Sequence, residues 1–388
     1  MQGTRNDRAD ARRVLVLSFS DLRTDPRVRR QLALLCREFE VTAVGFGCPD
    51  DFPVRCLAIP DRHWSTPCKA GVAFLLKARR FETVYWSSDC VKAAQAVLRG
   101  ATFDLILAND IWTLPLALEL KGNAKVVFDA HEYSPAEFEE SWQWRLFFQR
   151  YNEYLCRRYL PLADAATTVC EGIAEEYRRT IGVRMTVIHN ALPYQDLQPC
   201  RGTPDGRVRL VHHGGAIPSR QLETMIETMR YLDDRHTLDF VLVSSVPRYL
   251  DRLKSLASGD RRVRFLPSVG MHDLPRILNR YDAGIYLLPP NNFNNRHALP
   301  NKFFEFVQAR LAIVVGPSPE MAAQVRRYEM GVVSEDFTPK SFARAISGLD
   351  RQRIDRFKQR SHEAAKELCF ERNAEILLTM VDNLIGHA

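Results

Sequence analysis

Short apolar runs alternate with longer amphipathic stretches along most of the chain. Five runs in the first half are rich in Val, Ile, Leu and Phe and predict buried strands, at residues 14–19, 41–46, 103–108, 125–129 and 166–169. The stretches between them have helical patterns, such as residues 26–37, with Asp25 as N-cap and proline at the first helical position. Strands that alternate with helices predict a parallel sheet covered by helices.

The alternation stops at residues 193–206, which hold three prolines and two glycines and have the composition of a linker. It restarts with a second series of predicted strands, at residues 207–213, 237–243, 263–266, 282–288 and 312–316. We therefore predict two Rossmann-like α/β domains that face each other across a cleft, at residues 1–192 and 207–360. A long last helix within residues 361–388 is expected to pack back on the N-terminal domain. Ligands bind at the carboxyl ends of the strands in such sheets.

The composition is that of a globular protein, since 46% of the 388 residues are apolar and 26% are charged. This length suits two domains. The nine cysteines are scattered with no C-x-x-C pair, which argues against a zinc site or a redox dithiol. We expect free thiols in a reducing cytoplasm. The N-terminus is polar, so no secretory signal is expected, and no run approaches the ~20 apolar residues of a membrane span.

The formal net charge of +7 reflects an excess of arginine. Dispersed basic residues are usually solvated surface; the alternatives are binding of anionic small molecules, of an anionic membrane or of nucleic acid. No nucleic-acid-binding motif accompanies the charge, so we expect no nucleic-acid partner. Residues 142–162 mix aromatics and arginines at helical spacing, which indicates either core packing or a docking face for a lipid-linked molecule or a membrane surface.

The most informative stretch is LPNKFFEFVQA at residues 299–309, followed at once by an apolar run and a Gly-Pro stop. Asn301 is predicted as an N-cap, which places Lys302 and Glu305 in the first turn of a helix and on one face. Because a helix start suits anions, the lysine can hold a phosphate, and the carboxylate can accept two hydrogen bonds from a vicinal diol. Phosphate and diol together describe the ribose end of a nucleotide. The alternative is a capped amphipathic helix with its charges in water.

A turn of the phosphate-binding type follows the first predicted strand of the second half. Gly214 and Gly215 allow backbone N–H groups to approach a ligand closely, and a helix is predicted to start near Ser219. Arg220 at that helix start would oppose the helix dipole, so an anion is expected to compensate. A Gly-Gly pair alone is common in tight turns. Together with the lysine and glutamate described above, this turn predicts a site for a nucleotide diphosphate.

On these residues the chain resembles glycosyltransferases of the GT-B architecture. The two alternating halves, the Gly-Gly turn followed by arginine, and the P-N-K-x-x-E-x-x-x-A helix before V-V-G-P carry the resemblance. The chain is most similar to the large retaining family that holds sucrose synthases and many bacterial envelope-polysaccharide transferases. The resemblance covers nearly the whole chain and is strongest at residues 208–335.

The resemblance implies roles for the residues of the second half. Glu305 matches the second glutamate of a motif in which seven residues separate two glutamates, and this glutamate hydrogen-bonds the donor ribose. Arg220 matches the basic residue that binds the donor diphosphate, and Lys302 stands where a second diphosphate contact is expected. The first glutamate of the motif, which faces the donor sugar, is replaced by His297. The polar loop around Asn295 is then expected either to contact the sugar or to be a surface loop.

In the first half, His131 and Glu132 follow the predicted strand at residues 125–129, where the cleft should lie. Relatives often carry a histidine here that touches the donor sugar or the reacting centre, so the resemblance implies a catalytic role for His131. Asp110, at the end of another strand, is a weaker candidate of the same kind. The family often has a glycine-rich turn after the first strand; this chain has none, and Arg27 is expected to face the cleft instead.

The resemblance implies a hexosyltransferase that moves a sugar from a nucleotide diphosphate sugar to a hydroxyl acceptor, with retention at the anomeric carbon. The expected partners are the donor and this acceptor. If the enzyme contacts the inner membrane face, the acceptor is expected to be lipid-linked. No Asp-x-Asp has the context of a metal-dependent transferase, so neither a metal nor another cofactor is expected. Two other hypotheses stay open: a GT-B sugar-nucleotide epimerase, and a GT-B-shaped binding protein whose donor site has decayed, as His297 would suggest.

Overall fold

The computed structural model describes residues 12–65, 68–202, 206–244, 246–271 and 273–386. The polar N-terminal segment, for which no secretory signal is expected, lies outside the described residues up to position 11. The chain divides into two compact units. The first comprises Met1–Ile188 with Ala374–Ala388, and the second comprises His189–Asn373. The linker-like stretch begins in the second unit, and three of its residues, 203–205, lie outside the described part of the chain.

The first unit is built around a parallel sheet whose strands are β1 (Arg13–Ser18), β2 (Glu40–Gly45), β3 (Arg55–Ala58), β4 (Leu105–Asn109), β5 (Lys125–Ala130), β6 (Ala165–Thr168) and β7 (Thr186–Val187). The strand order is β3-β2-β1-β4-β5-β6-β7. All five predicted strands of this half are present within one or two residues of their predicted ends. The two short strands that were not predicted, β3 and β7, lie at the sheet edges and are only partly buried, so they carry a weaker apolar signal.

The helices of the first unit cover this sheet. They are α1 (Pro26–Leu35), α2 (Lys69–Lys77), α3 (Phe81–Ser87), α4 (Asp89–Val97), α5 (Leu114–Leu120), α6 (Trp142–Trp144), α7 (Arg150–Tyr159) and α8 (Glu171–Ile181). The predicted cap of α1 is confirmed, because the Asp25 side chain accepts from the backbone N–H groups of Arg27 and Val28. A π-helical turn, Arg145–Gln149, joins α6 to α7.

The second unit contains a six-stranded parallel sheet of β8 (Val208–Gly215), β9 (His236–Val243), β10 (Val263–Leu266), β11 (Ala283–Tyr286), β12 (Ala312–Val315) and β13 (Gly331–Val333). The strand order is β10-β9-β8-β11-β12-β13. The helices after β8 are α9 (Glu223–Thr228), α10 (Pro247–Ala257), α11 (Leu274–Leu278), α12 (Phe293–Arg296), α13 (Asn301–Gln308), α14 (Pro319–Arg327), α15 (Pro339–Ser347), α16 (Arg351–Ala364) and α17 (Phe370–Ile385). From Ala374 onward α17 belongs to the first unit. No described helix is long and apolar enough to span a membrane.

In each sheet the strand order reverses at one pair of neighbouring strands, so that the following strands are added on opposite sides of this pair. In the first sheet β1 and β4 are neighbours, but β1 leads outward to β2 and β4 leads to β5 on the opposite side. In the second sheet β8 and β11 are the corresponding neighbours, leading to β9 and to β12. The loops after such a pair diverge and leave a crevice at the carboxyl edge, where ligands bind in open α/β sheets.

Close packing in the second unit fixes the position of α13 on its sheet. A Cβ atom at Gly284 of β11 would lie 2.4 Å from the ring of Phe306, so glycine allows α13 to lie directly on this strand. Every residue of α13 after Asn301 is buried. Since α13 follows β11 in the chain, its first turn is held at the carboxyl edge of the sheet, beside the crevice.

Two expectations from the sequence differ from the structure. The single long helix expected near the C-terminus is two helices, α16 and α17, separated by a break at residues 365–369. The expectation that all cysteines are free is wrong, because Cys48 and Cys56 form a disulfide; the other seven are free. The partners lie eight residues apart, Cys48 in the loop after β2 and Cys56 in β3, and the pairing of these neighbouring strands brings them together.

Candidate functional site

The crevice of the second sheet contains a cavity of about 280 Å³. On its polar side lie five residues that the sequence predicted to act together: Gly214, Gly215, Arg220, Lys302 and Glu305. Its apolar side is formed by the end of β9, the loop after β10 and the start of α11, with the side chains of Val241, Val243, Val269, Met271 and Leu274. A cavity with one polar and one apolar side suits a ligand with a charged part and a flat, less polar part.

Lys302 is the most unusual side chain of this cavity, because it is only 5% exposed. The predicted N-cap, Asn301, is instead the first residue of α13 and follows Pro300. Lys302 still lies in the first turn, where a positive charge opposes the helix dipole. Burial and the nearby Arg220 hold the pKa of Lys302 well below its usual value. A bound anion would offset both costs of a positive charge at this position, namely the opposing helix dipole and the loss of hydration of the amine.

The amine of Lys302 is oriented by a neutral partner. Its Nζ lies 3.1 Å from Nε2 of His212 and 4.1 Å from the ring centroid of Tyr286. Nδ1 of His212 lies 2.9 Å from the backbone oxygen of Ile285, which can only accept, so Nδ1 carries the proton and Nε2 accepts from Lys302. Burial and the nearby Lys302 hold the pKa of His212 well below its usual value, which keeps this imidazole neutral.

Glu305 lies one helical turn after Lys302, and its carboxylate lines the same cavity. One carboxylate oxygen, Oε2, lies 3.2 Å from Nε2 of His213. Burial and the nearby Lys302 hold the pKa of His213 well below its usual value, so its imidazole is also neutral. The carboxylate lies at the wall of the cavity, where its oxygen atoms can accept hydrogen bonds from a ligand's hydroxyl groups.

The turn after β8 differs from the predicted one. Pro218–Arg220 form a 3₁₀ turn, Gln221 has a left-handed backbone with φ of 49°, and α9 begins only at Glu223. The prediction that Arg220 stands at a helix start is therefore wrong, and the helix dipole does not act on it there. Its Nη1 donates to the backbone oxygen of Gly215 at 3.2 Å, so the guanidinium folds over the turn and lines the cavity.

Gly214 lies next to Lys302 at this turn. Its φ of 111° lies in the region that favours glycine. A Cβ atom at this position would lie 3.4 Å from both Cε and Nζ of Lys302. The glycine therefore leaves the backbone next to the amine uncovered by a side chain, in the way that a phosphate-binding turn requires.

Asn295 and His297 are not brought together with these residues. The polar loop that contains them forms the short helix α12, and the Asn292 side chain accepts from the backbone N–H of Asn295. Nδ1 of His297 lies 3.1 Å from Oε1 of Glu320, in the first turn of α14. Neither Asn295 nor His297 lines the cavity of the second unit.

A second cavity, of about 480 Å³, occupies the crevice of the first sheet. One end of it is polar and is lined by Asn109, Asp110, His131, Glu132, Ser134 and Glu137. The other end is mainly aromatic and is lined by Phe19, His63, Trp64, Trp112, Phe138, Trp144 and Phe148. Three residues predicted from the sequence, Asp110, His131 and Glu132, thus lie together. Such a cavity suits an amphipathic ligand whose hydroxyl groups meet the polar end.

His131 is held between two carboxylates at the polar end of this cavity. Its Nδ1 lies 3.3 Å from Oδ2 of Asp110, and its Nε2 lies 3.5 Å from Oδ2 of Asp129. Asp110 has a left-handed φ of 64° and also accepts from the backbone N–H of His131 at 3.1 Å. Burial alone would lower the pKa of His131, but Asp110 and Asp129 raise it to about 9. The imidazole is therefore a cation at neutral pH.

Arg27 does not line the cavity as the sequence suggested. It is buried, and its Nε and Nη2 donate to the two carboxylate oxygens of Asp129 at 2.6 Å each. A third nitrogen, Nη1, donates to the backbone oxygen of Ile188 at 2.9 Å. Burial would raise the pKa of Asp129, but Arg27 outweighs it and lowers the pKa below the usual range. Arg27 therefore keeps Asp129 ionised behind His131 and acts as a positioning residue.

Glu137 is a further titratable group of this cavity that the sequence did not indicate. Burial, together with the nearby Asp110 and Glu132, raises the pKa of Glu137 to about 8. Its carboxyl group is therefore largely protonated at neutral pH and can donate as well as accept a hydrogen bond. Asn152 donates to it from Nδ2 at 3.4 Å.

Glu137→Gln is expected to remove a loss of stability that develops as the pH rises from the unfolded pKa of Glu137, ~4.3, to its folded pKa of about 8. The folded protein keeps the Glu137 proton up to pH about 8, whereas an unfolded chain releases it near pH ~4.3. The folded state then binds more protons between these values, so its stability falls with rising pH by up to ~1.4 kcal/mol per pH unit. Urea unfolding from pH 5.5 to 8.5 should show a smaller decline for Glu137→Gln than for the wild type. The exposed Glu140→Gln serves as the matched control; parallel curves for all three proteins would contradict the assignment.

Sequence reasoning missed His212, His213 and Glu137. The two histidines directly precede Gly214 at the end of β8, and this position could have indicated them. Glu137 has no such signal, because only the folding of the irregular segment after β5 brings it to the cavity. Among the described residues, no group of three or more His, Cys, Asp or Glu side chains has the geometry of a metal site.

Two units, each with a parallel sheet and a cavity at the carboxyl edge of that sheet, define a double-Rossmann protein. Two family models match the chain: residues 32–196 match Glycosyltransferase Family 4, and residues 207–351 match Glycosyl transferases group 1. No curated protein sequence matches the chain.

Solved structures resemble the chain over almost its whole length. A glycosyltransferase from Rickettsia africae is 10% identical, with 98% of this chain and 100% of that chain covered and a TM-score of 0.70. Sucrose-phosphate synthase from Thermosynechococcus elongatus is 13% identical, with 96% and 99% covered and a TM-score of 0.71. HepE from Anabaena, solved in complex with UDP-glucose, is 13% identical, with 96% and 100% covered and a TM-score of 0.70.

At these identities the solved structures establish the fold, while the two family models establish the kind of enzyme. The chain is a glycosyltransferase of the GT-B architecture. The fold and the enzyme class predicted from the sequence are thereby confirmed.

Proposed function

We propose that this enzyme transfers a hexose from a nucleotide diphosphate sugar to a hydroxyl acceptor, with retention at the anomeric carbon. The observation that carries the proposal is the buried amine of Lys302, which lies beside the Gly214–Gly215 turn and Arg220 in a cavity that also holds the Glu305 carboxylate. A diphosphate compensates the cationic groups, and a ribose diol matches the carboxylate. HepE, which shares the fold, binds UDP-glucose.

The second unit stabilises the leaving group in this proposal. The bond between the anomeric carbon and the phosphate oxygen breaks, and negative charge develops on the departing diphosphate. Lys302, Arg220 and the backbone N–H groups at Gly214 and Gly215 face that charge, which is the largest electrostatic contribution expected in such a reaction. These groups supply the positive charge from the protein, and we propose that neither a metal ion nor another cofactor takes part.

The first unit receives the acceptor in this proposal. Asp110 and Glu132 at the polar end of its cavity accept hydrogen bonds from acceptor hydroxyl groups, and the aromatic end packs against its apolar part. The cationic His131 at the same polar end is the proposed catalytic group of this unit. The acceptor oxygen forms the new bond to the anomeric carbon on the side that the phosphate leaves, and its proton passes to the departing phosphate oxygen, so no protein nucleophile is needed.

We further propose a cytoplasmic enzyme that builds cell-envelope polysaccharide at the inner membrane face on a lipid-linked acceptor. The resemblance to envelope-polysaccharide transferases supports this setting. The cavity of the first unit also supports it, because its aromatic end provides apolar surface next to the polar groups that would hold hydroxyls.

Glu305→Ala is expected to lower nucleotide affinity without unfolding the protein. A hydrogen bond to a charged group contributes ~1.5–3 kcal/mol, so the loss of the ribose contacts should weaken UDP or GDP binding roughly 10- to 100-fold. Titration calorimetry measures this loss. Inorganic pyrophosphate serves as the control ligand, because it lacks ribose and should bind the variant and the wild type alike. Unchanged nucleotide affinity would refute the ribose role of Glu305.

The proposed function is tested by incubating the protein with a panel of nucleotide sugars, with and without candidate acceptors, while nucleotide release and sugar identity are followed. Release that depends on an acceptor, with the product linkage in the donor's anomeric configuration, supports a retaining transferase. Conversion of the donor sugar without an acceptor would instead indicate the epimerase hypothesis. If no nucleotide is released under any condition and neither UDP nor GDP shifts the melting temperature, the transferase and epimerase hypotheses are both excluded. The hypothesis of a GT-B-shaped binding protein with a decayed donor site then remains.

A further inference from the structure

Two neighbouring segments of the first unit expose large apolar side chains. Phe74 of α2 is 71% exposed, while Trp142 of α6 and Leu146 of the π-helical turn are 61% and 51% exposed. The two segments are in contact, because α2 packs against the π-helical turn and the Lys77 ammonium lies 5.6 Å from the ring centroid of Phe147. We call the exposed surface of residues 69–80 and 138–150 the aromatic–basic face.

The charge of this face is positive. Its segments carry six basic residues and two acidic ones, which gives a net charge of +4. All six basic residues are exposed: Lys69, Lys77, Arg79, Arg80, Arg145 and Arg150. A surface that presents apolar side chains among exposed lysines and arginines complements an anionic lipid surface, where the apolar groups enter the acyl boundary and the cations meet the headgroups.

The same segment that exposes Trp142 and Leu146 also forms a wall of the first unit's cavity. Trp144 and Phe148 line that cavity from the inside. Trp142 and Leu146 are four residues apart, as are Trp144 and Phe148, so the two members of each pair lie on the same side of the helical segment. The exposed pair and the cavity pair point to different sides. The π-helical turn contains one member of each pair, Leu146 and Phe148, and such turns are frequent at functional sites. The exposed face therefore adjoins the cavity wall through a single helical segment.

We propose that the aromatic–basic face binds the surface of an anionic lipid bilayer. The face inserts Phe74, Trp142 and Leu146 at the interface, and its six basic residues contact anionic headgroups. This binding is a property of the first unit alone and needs neither donor nor catalysis, so it stands or falls independently of the proposed reaction. It would bring the cavity of the first unit to the bilayer surface.

Sedimentation with lipid vesicles tests this proposal on the full chain. Vesicles of phosphatidylcholine with an equal part of phosphatidylglycerol should bind the protein, pure phosphatidylcholine vesicles should bind it much more weakly, and added salt should release it. The double variant Phe74→Ser, Leu146→Ser should lose most of the binding. The double variant Lys69→Gln, Arg80→Gln should weaken it roughly 25-fold, since each basic residue near an anionic surface contributes about fivefold.

The matched control is Tyr231→Ser, which removes a side chain of the second unit that is 57% exposed and should leave vesicle binding unchanged. Unaltered melting temperature and UDP affinity will show that the face variants are folded, because both carry substitutions only at exposed positions outside the cavities. No binding to the phosphatidylglycerol vesicles, or equal binding by the wild type and the Phe74→Ser, Leu146→Ser variant, would overturn the proposal. A third outcome would also overturn the proposal: the wild type is a dimer that does not bind vesicles, and the Phe74→Ser, Leu146→Ser variant is a monomer. In that case a second copy of the chain covers the face.

Discussion

Lys302→Met is expected to remove most of the sugar transfer while leaving the fold intact. In the proposed reaction the amine faces the charge on the departing diphosphate, and loss of one preorganised donor of this kind costs a factor of ~10²–10³ in rate. The amine is buried, and burial holds the pKa of Lys302 well below its usual value, so its removal does not break a stabilising ion pair. We expect an unchanged or higher melting temperature. Initial rates at saturating donor and thermal unfolding measure the two effects.

The matched control for this variant is Lys340→Met, which changes an exposed lysine of α15 in the same unit and should retain full activity. A second readout is proton uptake. Burial keeps the pKa of Lys302 low in the free protein, and a bound diphosphate raises it, so nucleotide binding takes up a proton at pH values between the two. Affinity for UDP should therefore fall as the pH rises through that range, and calorimetry in buffers of different ionisation enthalpy should detect the proton. A wild-type rate for Lys302→Met, or pH-independent binding, would contradict this role.

Arg27→Met is expected to cause a large loss of stability. The substitution leaves Asp129 buried without the guanidinium that donates to both of its carboxylate oxygens. Breaking a buried ion pair by removing one partner costs ~3–5 kcal/mol, because the remaining charge stays desolvated. Urea unfolding at neutral pH should show this decrease in the free energy of unfolding.

Two further variants separate this explanation from a general sensitivity of α1. Arg29→Met lies on the same helix and removes a partly exposed arginine that pairs with Asp51, so its effect should stay within ~1 kcal/mol. The double variant Arg27→Met, Asp129→Leu should recover much of the loss, since an apolar pair can replace a buried ion pair. Equal losses for Arg27→Met and Arg29→Met, or no recovery in the double variant, would contradict the ion-pair explanation.

Most of the second unit's site could be predicted because its residues are close together in the sequence. Gly214 and Gly215 follow a strand directly, and the three-residue spacing of Lys302 and Glu305 places both on one helical face. Local pattern therefore specifies which side chains share a turn or a face. Local pattern did not specify the start of α9, because a 3₁₀ turn and a left-handed Gln221 precede it.

The contacts that set the chemistry of these residues could not be predicted in the same way. The pairing of Lys302 with His212 joins residues 90 positions apart, and it depends on β8 and β11 being neighbours in the sheet. The pairing of Arg27 with Asp129 joins residues 102 positions apart across α1 and β5. Strand order decides both contacts, and no spacing in the sequence encodes it.

The sequence by itself determined the two α/β halves, the GT-B resemblance and the five residues that share the polar side of the second unit's cavity, since these follow from short-range periodicity and motif. Only the tertiary structure decided the burial of Lys302, the ion pair that removes Arg27 from the cavity, and the aromatic cavity of the first unit. The physical reason is that desolvation and charge pairing depend on which distant segments pack together. The helix with Lys302 and Glu305 was thus recognisable in the sequence, but the buried state of its lysine came from the packing of α13 on β11.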